Sequence, residues 1–362
     1  MKMGIVGLPT TGKTTLFNLL TGQQLETSGF ATGKVEAHTG IAKIPDERID
    51  FLASQYHPKK TTYATIELID VPGLAKGAST GKGVGNQFLD AVRKADALIH
   101  LVRVFDNPQA MHPEGSIDPL RDVETIAMEL LFSDLGIIEN RISRIESGKK
   151  ITKEHLEEKV VLEKCRDTLE NSQLIHEMDL SEEEQELIRT FGFLSEKPIM
   201  LVVNLDDAQL AAGTYPRQEE LETYCQDHQL PLITLSALTE QEISQLVEDE
   251  RELFMDELNI QEPGIHQVAR TAYTLLGLVS FLTAGEDEVR AWPIRRHTVA
   301  RKAAGKIHTD IEKGFIRAEV TAFSDYREHP SMVKLKELGK VRLEGKEYVV
   351  QDGDIINFRF NV

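Results

Sequence analysis

The sequence predicts an α/β chain: a parallel sheet with helices on both faces, interrupted by an antiparallel helical hairpin and followed by a small α+β unit. Three observations carry that prediction. Near-continuous apolar runs at 97–104, 198–204 and 231–236 have the composition of strands buried on both faces. From Leu131, apolar residues fall at Leu135, Ile138, Ile142 and Ile145, which is a heptad seam. The final residues alternate strictly, with Ile356, Phe358, Phe360 and Val362 on one side and Asn357, Arg359 and Asn361 on the other, as in a half-buried last strand.

A short apolar strand, 3–6, opens the chain and runs into Gly7-Leu8-Pro9-Thr10-Thr11-Gly12-Lys13-Thr14-Thr15. Gly7, Gly12, Lys13 and Thr14 fill every fixed position of G-x-x-x-x-G-K-[ST], the phosphate-binding loop. Glycines let such a loop turn its N–H groups toward phosphate oxygens, and a lysine adds a point charge for the β- and γ-phosphates. Thr14 offers a hydroxyl to Mg²⁺, and the helix beginning there offers its positive end. Leu16, Phe17, Leu19 and Leu20 then follow at helical spacing. The candidate nucleotide contacts here are Pro9, Thr10, Thr11, Gly12, Lys13, Thr14 and Thr15.

Residues 21–33 read as a loop, 35–44 as a strand and 46–52 as a helix with a carboxylate in its first turn. The alternating, β-rich stretch 65–70 reads as a strand ending in Asp70-Val71-Pro72-Gly73. That tetrapeptide matches D-x-x-G, in which the Asp organises Mg²⁺ and the Gly amide meets the γ-phosphate. The glycines at 81, 83 and 85 follow no strand, so they read as a loop rather than a dinucleotide site. After a helix at 87–94 come the apolar strands. The second ends in Asn204 and the third in Ser236-Ala237, the positions and residue types of the base-reading loops in GTPase-like domains. His100, inside the first of these strands, reads as a core residue.

Between the strands the heptad seam is broken at 148–150 and a charged helix resumes over 151–178, giving the hairpin. Residues 154–186 hold twelve acidic groups against three basic, either a solvated face or a protein-docking arm. Helices at 246–260 and 265–276 lead to the tail. There, 278–282, 316–323, 341–343 and 348–350 read as strands, with a helix near 299–304 or 331–338. The expected domains are 1–125 with 196–277 for the nucleotide, 126–195 for the hairpin and 278–362 for the tail.

The net charge of −18 argues against a protein that coats nucleic acid with its whole surface. One local excess stands out: from 290 to 317, eight basic residues face Asp310 and Glu312 alone. It reads as ordinary surface charge or as a contact to a phosphate backbone, RNA first. Only Cys165 and Cys225 occur, and neither lies in metal-ligand spacing, as in a reducing compartment. The start lacks the layout of a signal peptide, and no apolar run is long enough to span a bilayer. A cytoplasmic protein with no membrane partner is expected.

With these residues laid out, the chain resembles the YchF/Ola subfamily of Obg-related P-loop NTPases over its full length. The matching stretches are Gly7-Leu8-Pro9 with Gly12-Lys13-Thr14-Thr15, Pro45-Asp46-Glu47-Arg48, and Asp70 with Gly73-Leu74 and Lys76-Gly77-Ala78-Ser79. Gly285-Glu286, Glu288-Val289-Arg290-Ala291-Trp292, the run from Lys313 to Val320, and Val350-Gln351-Asp352-Gly353-Asp354 complete them. The resemblance implies a Ras-like nucleotide domain, a coiled-coil insertion and a C-terminal TGS domain with a ubiquitin-like β-grasp. It also implies Mg²⁺-dependent ATP hydrolysis and association with the ribosome or its RNA through the tail's basic patch and the helical arm, with no DNA expected.

Two departures from Ras-type proteins bear on mechanism. Leu74 follows Gly73 where a Gln would orient the attacking water, and the resemblance implies that a loop histidine, here His112, substitutes. His112 also reads as a plain exposed loop histidine. In place of N-K-x-D stands Asn204-Leu205-Asp206-Asp207, and Leu238 stands where S-A-K has Lys. The lost lysines fit ATP, whereas Asp207 is what a guanine site would want. The catalytic candidates are therefore His112, Lys13 and Gly73. The base candidates are Asn204, Leu205, Asp207, Ser236 and Ala237, and the metal candidates are Thr14, Asp70 and Thr32, with Thr39 as the alternative to Thr32. A slow ATPase acting as a ribosome-linked switch is expected. The alternatives are a GTPase of the same frame and a nucleotide-gated adaptor whose hydrolysis is incidental.

Overall fold

The apolar runs become the centre of a parallel sheet. The computed structural model describes residues 1–26, 38–71, 84–148, 150–258 and 260–361. Its strands in the N-terminal half are β1 (Lys2–Val6), β2 (His38–Lys43), β3 (Lys60–Thr62), β4 (Thr65–Asp70) and β5 (Ala97–Arg103). Then come β6 (Ile199–Asn204), β7 (Leu232–Leu235), β8 (Leu278–Ala284), β9 (Glu288–Arg295), β10 (Phe315–Ala322), β11 (Arg342–Glu344) and β12 (Asp354–Phe360). They form two sheets, ordered β2-β4-β1-β5-β6-β7 and β11-β10-β12-β8-β9-β3. The chain divides into two units: Met1–Ile41 with Glu67–Ala272, and Ala42–Ile66 with Tyr273–Val362.

In the first unit β1 lies parallel to β4 and β5, and β5, β6 and β7 continue parallel. Every residue of β5 and β6 is buried, which is why those segments carry no alternation. Register sets Ile5 beside Asp70, Arg103 beside Asn204, and Asn204 beside Leu235. The carboxyl ends of the strands are thus aligned. Because later strands add on opposite sides of β1, the loop after β1 opens at the topological switch point, where α/β sheets bind ligands.

The helix Pro119–Glu146 starts with Asp118 as its cap and Pro119 in its first turn, both favourable there. Its seam residues Leu131, Ile138, Ile142 and Ile145 are buried against Val161, Leu162, Cys165 and Leu169 of the helix Lys153–Glu170. Arg141 pairs with Glu158 and Lys159 with Glu146 across the hairpin. The second helix stops at Glu170 instead of running to 178. Asn171 closes that helix by donating to Asp167 O, Ser172 turns at φ 61, and the Ser181–Glu184 capping box starts a separate helix, Glu182–Ile188. Hairpin residues share a core cluster with Val6, Leu8 and Leu98 of the sheet region, so 126–195 packs as part of this unit.

In the second unit, β10 pairs antiparallel with β11 and β12, and β8 antiparallel with β9. Their shared face buries Phe281, Ile294, Ala318, Val320, Ile356 and Phe358 against the small residues Ala300, Ala303 and Ala304 of the helix Ala300–Ile307. The expected strand at 348–350 is a single bridge between Val299 and Val349. Asp354 accepts from Gln351 N and turns the chain into β12 before a ladder can extend.

Two strands escaped the sequence reading. β9 buries Val289, Ala291 and Ile294, but its intervening charges hid the period of two. β3 has three residues, too few for any pattern, and pairs parallel with β9. Residues 42–66 therefore belong to the second unit, whereas the expected boundary fell at 278. The helix Glu47–Tyr56 explains their place: Arg48 bonds Asp46 at 2.8 Å and reaches Asp352 at 2.8 Å. Phe51 meets Phe323 edge-on, and Tyr56 stacks on Tyr326. Among the described residues no helix is long and apolar enough to cross a membrane.

Candidate nucleotide-binding site

The loop after β1 needs its glycines for two separate reasons. Gly7 adopts φ 152, and a Cβ there would lie 2.4 Å from the carbonyl oxygen of Leu101. Gly12 adopts φ 97, and a Cβ there would lie 2.6 Å from Asn204 Nδ2. Between them Thr10 sits in the left-handed region at φ 63, a strained place for a non-glycine residue. The helix Lys13–Thr21 follows directly.

Lys13 is buried, and its Nζ donates to Leu8 O at 2.7 Å. Burial lowers its pKa to about 8, against the pull of the Asp70 carboxylate. Thr14 Oγ1 donates to Asp70 Oδ2 at 2.9 Å. Asp70 is buried as well; desolvation raises its pKa above the usual carboxylate range, opposed by the Thr14 bond, Lys13 and His38. A divalent cation at the Thr14–Asp70 pair and an anion at Lys13 would each relieve a buried group, so the donor set fits Mg²⁺ and a phosphate chain. His100 is buried, the core residue expected; desolvation first, then Lys13, pushes its pKa down to about 3, which leaves the imidazole neutral.

On the base side Asn204 is engaged at both ends of its amide. Its Nδ2 donates to Thr11 O at 3.0 Å, and its Oδ1 accepts from Ala237 N at 2.9 Å. It staples the phosphate loop to the start of the helix after β7. Leu205 is buried among Val102, Val104, Val203 and Leu221. Asp207 Oδ1 accepts from Ser236 Oγ at 3.2 Å and from Thr239 Oγ1 at 2.7 Å. Ser236 also caps the helix Ala237–Gln245 by accepting from Thr239 N. Thr239 was missed in the sequence, although it falls three residues after a helix-capping Ser, where such contacts arise.

His112 lies buried in the segment between β5 and the helix Pro119–Glu146. Its Nδ1 accepts from Glu114 N at 3.2 Å. Its Nε2 lies 2.9 Å from Asp122 Oδ2, an ion-pair distance at which neither atom is aligned for a hydrogen bond. Thr32 and Gly73, with Leu74, lie outside the described residues. Thr39 is exposed on β2 and accepts from Gln23 through its carbonyl. Pro9 and Thr15 are half-buried beside the loop.

A further residue connects the two halves. Arg103, at the end of β5, is fully buried and donates to Phe105 O and Ala110 O at 2.8 Å each. It also reaches Thr10 Oγ1 at 3.3 Å. Its signal in the sequence was an arginine closing an otherwise apolar strand.

The chain is 42% identical over 362 residues to the ribosome-binding ATPase YchF of Escherichia coli O157:H7, covering 100% of this chain and 99% of that protein. It is 40% identical over 361 residues to the ribosome-binding ATPase YchF of Bacillus subtilis, covering 99% of each. A family model described as 50S ribosome-binding GTPase matches residues 2–141, and the YchF-GTPase_C model, described as a protein of unknown function, matches 278–361. Among solved structures, the Schizosaccharomyces pombe YchF GTPase superposes with a TM-score of 0.87 at 33% identity, over 99% of this chain and 97% of that one.

Proposed function

The chain belongs to the YchF family, and on that premise we propose that it is a Mg²⁺-dependent ATPase that acts as a ribosome-associated nucleotide switch in the cytoplasm. The observation that carries the reading is the Thr14–Asp70 pair at 2.9 Å beside the buried Lys13, at the switch point of a parallel sheet. Lys13 and the loop N–H groups bind the triphosphate. Thr14 and Asp70 are the residues that would hold Mg²⁺, with Thr32 as their partner and Gly73 sensing the γ-phosphate. The metal, when bound, neutralises charge on the β- and γ-phosphates.

ATP rather than GTP follows from the base side. A carboxylate oxygen offers about two acceptor positions, and those of Asp207 Oδ1 are taken by the Ser236 and Thr239 hydroxyls. A guanine reader uses both oxygens of its carboxylate for two base N–H groups, and here Oδ1 is occupied while only Oδ2 is left for them. Leu205, in the core cluster, supplies no cation to lie on the ring. The second reading is a GTPase of the same frame. The identity of residue 207 as Asp favours it, and the fission-yeast relative is named a GTPase.

His112 is the proposed water-orienting residue. Because both its ring nitrogens face protein groups, hydrolysis requires this segment to release it from Asp122. Contact with the ribosome is assigned to the basic stretch 290–317 and to the helical hairpin, and release of switch segments on hydrolysis supplies the signal. ATP turnover of the full chain, measured with and without purified ribosomes, tests this reading. A ribosome-stimulated rate is expected. Absence of both hydrolysis and ribosome co-sedimentation would contradict it.

A further inference from the structure

We infer that Arg103 is a positioning residue for the phosphate loop, holding Thr10 in its left-handed conformation and tying that loop to the segment that carries His112. The inference rests on the reading of Gly7–Thr14 as a triphosphate site.

The placement of this arginine is hard to explain by stability alone. All seven residues of β5 are buried, and Arg103 is 0% exposed. Its guanidinium bonds no carboxylate among the described residues, and Asp106 acts on it only through space; its hydrogen-bond partners are the neutral oxygens of Phe105, Ala110 and Thr10. Nη2 has no partner among the described residues. Burying a cation on these terms is costly, and an unbranched apolar side chain of similar length would fill the space without that cost. What a guanidinium adds is several donors in a fixed fork, able to hold several acceptors at once.

Those acceptors belong to the two segments that must be aligned. Nη1 alone spans them, with Ala110 O at 2.8 Å on one side and the Oγ1 and O of Thr10 at 3.3 and 3.5 Å on the other. Ala110 stands two residues before His112. Nε fixes Phe105 O at 2.8 Å, and the guanidinium lies over the Phe105 ring at 4.9 Å, so the start of the segment is held too. Thr10 is the strained member of the loop, at φ 63, and a side chain there gives the arginine an oxygen that glycine would lack. The loop's strain and the arginine's cost are thus two parts of one arrangement.

A double-mutant cycle on the full chain, with Mg²⁺·ATP as the probe in calorimetry, tests this. Arg103→Met should weaken ATP binding about tenfold while the melting temperature of the nucleotide-free protein stays level or rises. Thr10→Gly takes φ 63 without strain, so in a Thr10→Gly background the same Arg103→Met change should cost at most about threefold. Arg103→Lys keeps the charge but lacks the fork and should bind as weakly as Arg103→Met. An equal loss in both Thr10 backgrounds would overturn the inference, as would wild-type affinity in Arg103→Met or in Arg103→Lys. Lys13→Ala separates the two levels: if it too leaves affinity unchanged, the triphosphate site itself is misassigned.

Discussion

At the phosphate end of the proposed site stand a glycine-bearing loop, one buried lysine and a hydroxyl–carboxylate pair. At the base end, the candidate side chains are already tied into the protein: Asn204 to the backbone of Thr11 and Ala237, and Asp207 Oδ1 to the Ser236 and Thr239 hydroxyls. The first end is built to receive charge, since burial strains both the Lys13 ammonium and the Asp70 carboxylate. The second end is built to hold shape. A motif can therefore state what the phosphate end binds, while the base end's preference lies in which acceptors remain free.

The largest effect that separates the two ends should come from Lys13→Ala. Loss of a buried, charge-assisted contact is expected to weaken triphosphate binding roughly 100-fold for ATP and GTP alike, by calorimetry. A loss confined to one base would break the division. Gly12→Ala comes next: its Cβ would meet Asn204 Nδ2 at 2.6 Å with φ at 97. Because the clash joins both ends, affinity should fall about tenfold for either nucleotide. A fluorescent-nucleotide competition assay would show whether it does.

The phosphate end should also answer to pH. The Lys13 pKa is lowered to about 8 by burial, so the free site carries its cation below that pH and loses it above. Binding at higher pH must then take up a proton, and affinity should fall by up to about tenfold per pH unit above 8. Dissociation constants at pH 7 and pH 9, compared with the same pair for Lys13→Ala, check this; a slope that survives in the variant would point to another group.

The base end should respond to a smaller, opposite change. Removing both hydroxyls, as Ser236→Ala with Thr239→Val, frees Asp207 Oδ1 and is expected to raise GTP affinity about threefold with little change for ATP. An unaltered GTP constant would mean that Asp207 does not read the ring. Nearby, Glu240 lies on the helix Ala237–Gln245 and accepts from Gly264 N. Burial raises its pKa to about 7, so the folded state loses stability as pH climbs from the ordinary carboxyl range through 7. Glu240→Gln should therefore gain about 1–3 kcal/mol at pH 8 and nothing at pH 4, as measured by urea unfolding.

How much of this was legible in the sequence divides along the same line. Gly7, Gly12, Lys13, Thr14 and Asp70 have the residue types and spacing that a phosphate chain needs, so the sequence alone proposed that end, and the fold sets Thr14 on Asp70. The buried strands and the hairpin seam were legible because apolar runs and heptads admit few alternatives. Arg103 and Thr239 were not, since their meaning depends on which acceptors the fold brings within reach. β3 was invisible for a different reason: Lys60–Thr62 is a strand only because β9 offers it a free edge. Propensity is silent where pairing across the chain decides.

The proposed ATP preference sets a conventional phosphate end against a base end only half open to guanine, with Asp207 Oδ1 occupied and no cation at Leu205. A paired titration of the full chain with Mg²⁺·ATP and Mg²⁺·GTP tests it most directly. ATP is expected to bind at least about tenfold more tightly. Equal affinities, or tighter GTP, would contradict it.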